Sequence, residues 1–251
     1  MWKNLTIEKA SSSKSSIFSN SSGRKSFVPY IVISSLLACA ALYYVEWGQE
    51  ATYVIKTGIK LLLFLLIPIV YRILTRDRNI YISSSSRLKR RGSLYPGLLI
   101  GVLSFGILMA AYYYLQSFID FKTIIKELET RLKITPLNFL IIGIYITLFN
   151  SFIEEFFFRG FIFLGIYKTG RTGIAYIYSS LLFALYHIMI FRNWFTFPLF
   201  LLALFGLFAV GLLYNWLDTK SNNFLNSWIA HIFADAAIIL IGLKMFGIIN
   251  F

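Results

Sequence analysis

The sequence predicts an all-α fold, a polytopic bundle of about seven transmembrane helices. Three observations carry this. Apolar residues fill 58% of the 251 positions and mean hydropathy is +0.71, more than a water-soluble domain of this length sustains. Several apolar runs reach the roughly 20 residues needed to cross a hydrocarbon core. The runs are continuous, whereas a transmembrane barrel would show short alternating segments.

The elements follow in order. Residues 1–26 are serine-rich and basic, cannot bury a core, and read as a disordered tail. Spans are expected at 27–46, 54–75, 95–117, 137–166, 173–191, 198–217 and 226–247. Trp47, Tyr53, Tyr71, Trp194, Trp216 and Trp228 lie near span ends, as an interfacial aromatic belt would. Between spans three and four, Phe121, Ile124, Ile125, Leu128 and Leu132 recur at helical spacing with charges between them. That pattern predicts an amphipathic helix lying on the membrane. The chain divides into the tail at 1–26, a transmembrane pair with a basic loop at 27–94, and a core at 95–251.

The formal net charge is +13. The basic residues flank apolar spans and leave no folded basic domain, so nucleic acid is not an expected partner; the lipid bilayer is. The tail carries Lys3, Lys9, Lys14, Arg24 and Lys25, and the loop after span two carries Arg72, Arg76, Arg78, Arg87, Lys89, Arg90 and Arg91. With seven spans these lie on one side, which places the N-terminus in the cytoplasm. The single cysteine, Cys39, excludes an internal disulfide and a thiolate zinc site, and reads as a packing residue.

Ionisable groups inside spans are costly and mark function. The deep ones are Glu154, Glu155, Arg159, His187, His231 and Asp235; Lys56, Lys60 and Lys244 sit nearer span ends, where long stems can snorkel. Glu155 and Arg159 are four apart and can pair, which leaves Glu154, rotated by about 100°, to face the bundle interior. His231 and Asp235 share a face, as do Phe183 and His187. Counted from the turn near Gly170, Glu154 and His187 both lie about 24–26 Å along their helices. His231 lies only about 15 Å from the turn near Ser221, so it reaches that level only if helices tilt or project. A carboxylate with two imidazoles and a further oxygen could activate water. Interhelical polar locks and an ion pathway are alternative uses of the same groups.

Glu-Glu-x-x-x-Arg at 154–159, Phe-x-x-x-His at 183–187 and His-x-x-x-Asp at 231–235, in this order on successive apolar helices, resemble the motifs of the CPBP intramembrane proteases. That family includes the type II CAAX prenyl endopeptidases and bacterial proteins linked to bacteriocin immunity. The stretch GLLYNWLDTKSNNFLNSWIAHIFADA, with a short turn at Thr219 and then Trp228, is similar to the family's approach to its last motif.

The resemblance implies an endopeptidase acting on a membrane-associated peptide or protein. Glu154 with His187 would activate water, Glu155 and Arg159 would hold the glutamate helix, and His231 and Asp235 would stabilise the oxyanion or complete a metal site. For cofactors it implies either zinc on His187, His231, Glu154 and Asp235 or no metal. Prenyl-processing members commonly carry Asn where this chain has Asp235; ionised Asp only accepts hydrogen bonds, so that residue would be a metal ligand, a partner orienting His231, or protonated, with the balance leaning toward metal. The composition, rich in Ile, Phe, Lys and Asn, points to a bacterial cell membrane. The alternative on the same fold is a non-catalytic scaffold or bacteriocin-immunity protein.

Overall fold

The structure, a computed structural model, describes residues 27–47, 52–75, 93–191 and 194–250, with backbone alone at 188–191. The expected tail and most of the basic loop lie outside these residues. Seven long helices form the bundle: α1 (Val28–Trp47), α2 (Tyr53–Thr75), α3 (Tyr95–Leu115), α5 (Pro136–Tyr167), α6 (Thr172–Phe191), α7 (Phe197–Ser221) and α8 (Leu225–Met245). Each expected span is met within a few residues. Six of them are long and apolar enough to cross a membrane by length and composition; α6, 20 residues long, is the seventh helix. The protein is an integral membrane protein, and its outer surface fits that solvent, with Leu37, Leu137, Ile141 and Phe205 all exposed.

The amphipathic stretch forms α4 (Phe121–Thr130). Asp120 caps it, accepting hydrogen bonds from the Lys122 and Thr123 amides and from the Thr123 hydroxyl. Its polar face is tied down. Arg131 Nη2 lies 2.9 Å from Glu127 Oε1 and 2.7 Å from Glu46 Oε1, at the end of α1. Lys56, at the start of α2, joins the same Glu46 oxygen at 2.7 Å, and Trp194 Nε1 donates to Glu127 Oε2 at 2.7 Å. Lys56 is therefore paired rather than snorkelling.

Helix α5 departs from regular pitch twice. Residues Ile146–Asn150 and Phe156–Phe163 are π-helical, on either side of the α-helical turn Ser151–Glu155. Such segments recur at functional sites. The Ser151 hydroxyl donates to the Thr147 carbonyl and Ser179, from α6, donates to the Phe158 carbonyl, covering acceptors that an altered ladder leaves open.

Small residues let α8 approach its neighbours, as in membrane helix packing generally. A Cβ on Gly97 of α3 would stand 2.6 Å from the Asn226 carbonyl oxygen, and the Gly97 amide instead donates to Asn226 Oδ1 at 2.9 Å. A Cβ on Gly242 would lie 2.2 Å from the Phe139 ring of α5. The largest core joins α1 and α2 to α5 and α6. In it, Phe64 of α2 stacks on Phe157 with centroids 4.0 Å apart. Tyr71 belongs to this core, edge-on to Phe161, and not to an interfacial belt. Thr219 lies inside α7, its hydroxyl on the Trp216 carbonyl. The expected turn starts after Ser221, where Asn222 takes a left-handed φ of 54°.

Candidate active site

The chain brings all six expected residues together. Glu154, Glu155, Arg159, His187, His231 and Asp235 are each no more than 9% exposed. Helix α5 supplies the first three, α6 supplies His187, and α8 supplies His231 and Asp235.

The two adjacent glutamates have different surroundings. Glu155 faces away from Glu154 and makes two ionic contacts. Its Oε2 lies 3.1 Å from Arg159 Nε, and its Oε1 accepts from His231 Nδ1 at 2.8 Å. The Arg159 guanidinium stacks over Phe183, 3.9 Å from the ring centroid, with Tyr214 on a further side at 5.4 Å. Arg159 Nη1 and Nη2 have no hydrogen-bond partner among the described residues, so its charge is met by one carboxylate and aromatic faces. The expected Glu155–Arg159 pair is thus present, and it orients His231.

Glu154 turns inward. Its Oε1 accepts from Asn150 Nδ2 at 2.9 Å and the Tyr186 hydroxyl at 3.1 Å, with Lys60 Nζ at 3.3 Å. Lys60 also donates to Asn150 Oδ1. Its Oε2 faces the Nε2 nitrogens of His187 and His231 at 3.7 and 3.9 Å. These gaps exceed hydrogen-bond length, a spacing at which a bridging water is the natural link.

The ring tautomers follow from the partners. His187 Nδ1 lies 2.8 Å from the Phe183 carbonyl oxygen. A carbonyl only accepts, so Nδ1 carries a proton, and when the ring is neutral its Nε2 lone pair faces Glu154. His231 Nδ1 likewise donates to Glu155, which leaves Nε2 facing Glu154 and Asp235, whose Oδ1 is 3.6 Å away. Asp235 Oδ2 is buried with no hydrogen-bond partner among the described residues.

Three contributors were not in the expected set: Lys60, Asn150 and Tyr186. Lys60 reads in the sequence as a snorkelling lysine, but its side chain is only 13% exposed and points at Glu154. The available signal was its spacing from Lys56: two lysines one turn apart within one span share a face and need partners. His231 does reach the level of Glu154, with Nε2 3.9 Å from Oε2. Helix α5 is 32 residues long, well beyond the roughly 20 that cross the bilayer.

Among the described residues no group of three or more His, Cys, Asp and Glu side chains could hold a metal ion, and Lys60 brings positive charge to Glu154.

No curated protein and no solved structure gives a significant match to the chain. Residues 136–237 match the family described as type II CAAX prenyl endopeptidase Rce1-like. That stretch carries all six expected site residues, and over it the chain is similar to the CAAX protease-like family that its motifs resemble.

Proposed function

We propose that the protein is an intramembrane endopeptidase in which Glu154 activates water without a metal. The observation that carries this is the asymmetry of Glu154: Oε1 is taken by three donors, whereas Oε2 stands 3.7 and 3.9 Å from two imidazole nitrogens, beyond direct hydrogen bonding and close enough for one water lying beside them to touch all three.

In this reading a water held between Glu154 Oε2 and His187 Nε2 attacks the scissile carbonyl carbon. Its proton passes to Glu154 as the C–O bond forms. The carbonyl oxygen becomes an oxyanion and accepts from His231 Nε2–H, the ring being charged and flanked by Glu155 and Asp235. Glu154 then hands its proton to the departing amine as the C–N bond breaks. Asp235, its Oδ1 3.6 Å from the same Nε2, balances the charge of the ring and leaves the Nε2 proton to the oxyanion.

The substrate is proposed to be a membrane-associated peptide or protein. An apolar groove of about 300 Å³ between α5 and α8, lined by Leu140, Ile144, Thr147, Ala236 and Ile239, runs up to the residue next to Asp235. It suits an apolar segment arriving from the lipid.

The test compares membrane peptides and small membrane proteins by mass spectrometry in cells carrying wild type or Glu154→Ala at matched levels. A precursor that accumulates only with the variant, its cut product missing, is expected. Identical profiles, with the variant still complementing the cellular phenotype, would replace this reading with a non-catalytic scaffold. Cleavage of that precursor by purified protein is expected to survive a strong chelator; loss restored by added zinc would overturn the metal-free scheme.

A further inference from the structure

We infer that Lys60 is a positioning residue of this site, so that the active centre is completed by a helix outside the matched region. The inference rests on the proposed role of Glu154 and deepens it. Lys60 lies on α2, whereas the family match begins at residue 136.

Four observations lead there. Lys60 Nζ lies 3.3 Å from Glu154 Oε1 and donates to Asn150 Oδ1. Asn150 in turn donates its Nδ2 to the same Glu154 oxygen at 2.9 Å, closing a ring of three polar side chains. Both Lys60 and Glu154 are largely buried, at 13% and 3% side-chain exposure. Finally, the lysine is fixed by its helix: Phe64, one turn on, is fully buried and stacks on Phe157 of α5.

The consequence is chemical. A carboxylate has two nearly equivalent oxygens, and free rotation would offer either to the histidines. Lys60, Asn150 and Tyr186 together hold one oxygen, leaving Oε2 toward His187 and His231. Among the three only Lys60 carries charge, so it alone offsets a buried carboxylate.

The test has two arms. The first needs no substrate. In a Cys39→Ser background, Lys60→Cys with Asn150→Cys should be joined by a short bis-thiol reagent in native membranes; absence of the crosslink in a folded protein overturns the placement. The second uses the precursor found by the Glu154→Ala comparison. Lys60→Met should lower kcat on the order of 10²-fold with KM within about threefold, and Lys60→Arg should recover at least tenfold of that loss. Wild-type kcat in Lys60→Met overturns the inference, and so does an equal loss in Lys60→Met and Lys60→Arg. If Lys60→Met does not fold, Lys60→Gln is read by the same criteria. Activity in Glu154→Ala would instead overturn the underlying site, so the two failures are distinguishable.

Discussion

The protein has two ionic networks, and they are built differently. At one end of the bundle Glu46, Lys56, Glu127 and Arg131 join α1, α2 and α4, with Trp194 attached. Both Glu127 oxygens there have a donor within 2.9 Å. In the interior, Glu154 is held as firmly through Oε1, yet Oε2 faces two nitrogens at 3.7 and 3.9 Å. The first network satisfies its charges and fastens helices. The second keeps one oxygen aimed at a gap, an arrangement that a purely structural pair has no reason to keep.

The comparison can be broken most severely at the imidazoles. His187→Ala and His231→Ala should each lower cleavage by on the order of 10³-fold while the protein stays monodisperse in detergent. Cleavage near the wild-type rate in either would reduce the interior network to a structural one. Next comes Arg159→Leu, which leaves Glu155 without its fully buried cation. Breaking a buried ion pair costs about 3–5 kcal/mol, and the His231 contact that remains on Glu155 puts this loss at the lower end, read as a fall in unfolding free energy in mild detergent and denaturant. A loss below about 1 kcal/mol would show that Glu155 does not depend on the pair.

The network at the end of the bundle should respond less. Glu46→Gln, which takes the shared carboxylate from the largely buried Lys56 and Arg131, is expected to cost about 1–3 kcal/mol and to leave cleavage within twofold. A tenfold fall in cleavage would make that tie part of the catalytic apparatus. The smallest effect belongs to the cap of α4. Hydrogen bonds from the Thr123 hydroxyl and amide hold the fully exposed Asp120 carboxyl below its usual range. A depressed folded value stabilises above the unfolded carboxyl value of roughly 4 and is lost as pH falls through the folded one. Asp120→Ala should therefore loosen α4 at neutral pH and make no difference at strongly acid pH, as read by amide exchange over residues 121–130.

Much of this was legible in the sequence because it is local. Glu155 and Arg159, four residues apart, pair as spacing requires. Glu154, one residue away, must then point elsewhere. Equal distances from Gly170 placed Glu154 and His187 at one level, and they are. What stayed hidden is non-local. Lys60 is 94 residues from Glu154, and its spacing from Lys56 says only that the two share a face, not which partner either one meets. Tyr186 reads as one more aromatic of a membrane helix until its hydroxyl is seen on Glu154. The level of His231 depended on how far α5 extends, which no count of residues in α8 contains.

The π segments of α5 have a consequence for how this helix can change over time. A π turn is a helix with one residue more than its pitch calls for. With one on each side of Ser151–Glu155, the two ends of α5 are out of register with each other. Removing one residue from 146–150 could restore an ordinary ladder, but it would rotate everything upstream by about 100° relative to Glu154. The surplus residues work as spacers between two rods. The half at 136–145 can thus seat Phe139 and Gly143 against α8 while Glu154 keeps its aim.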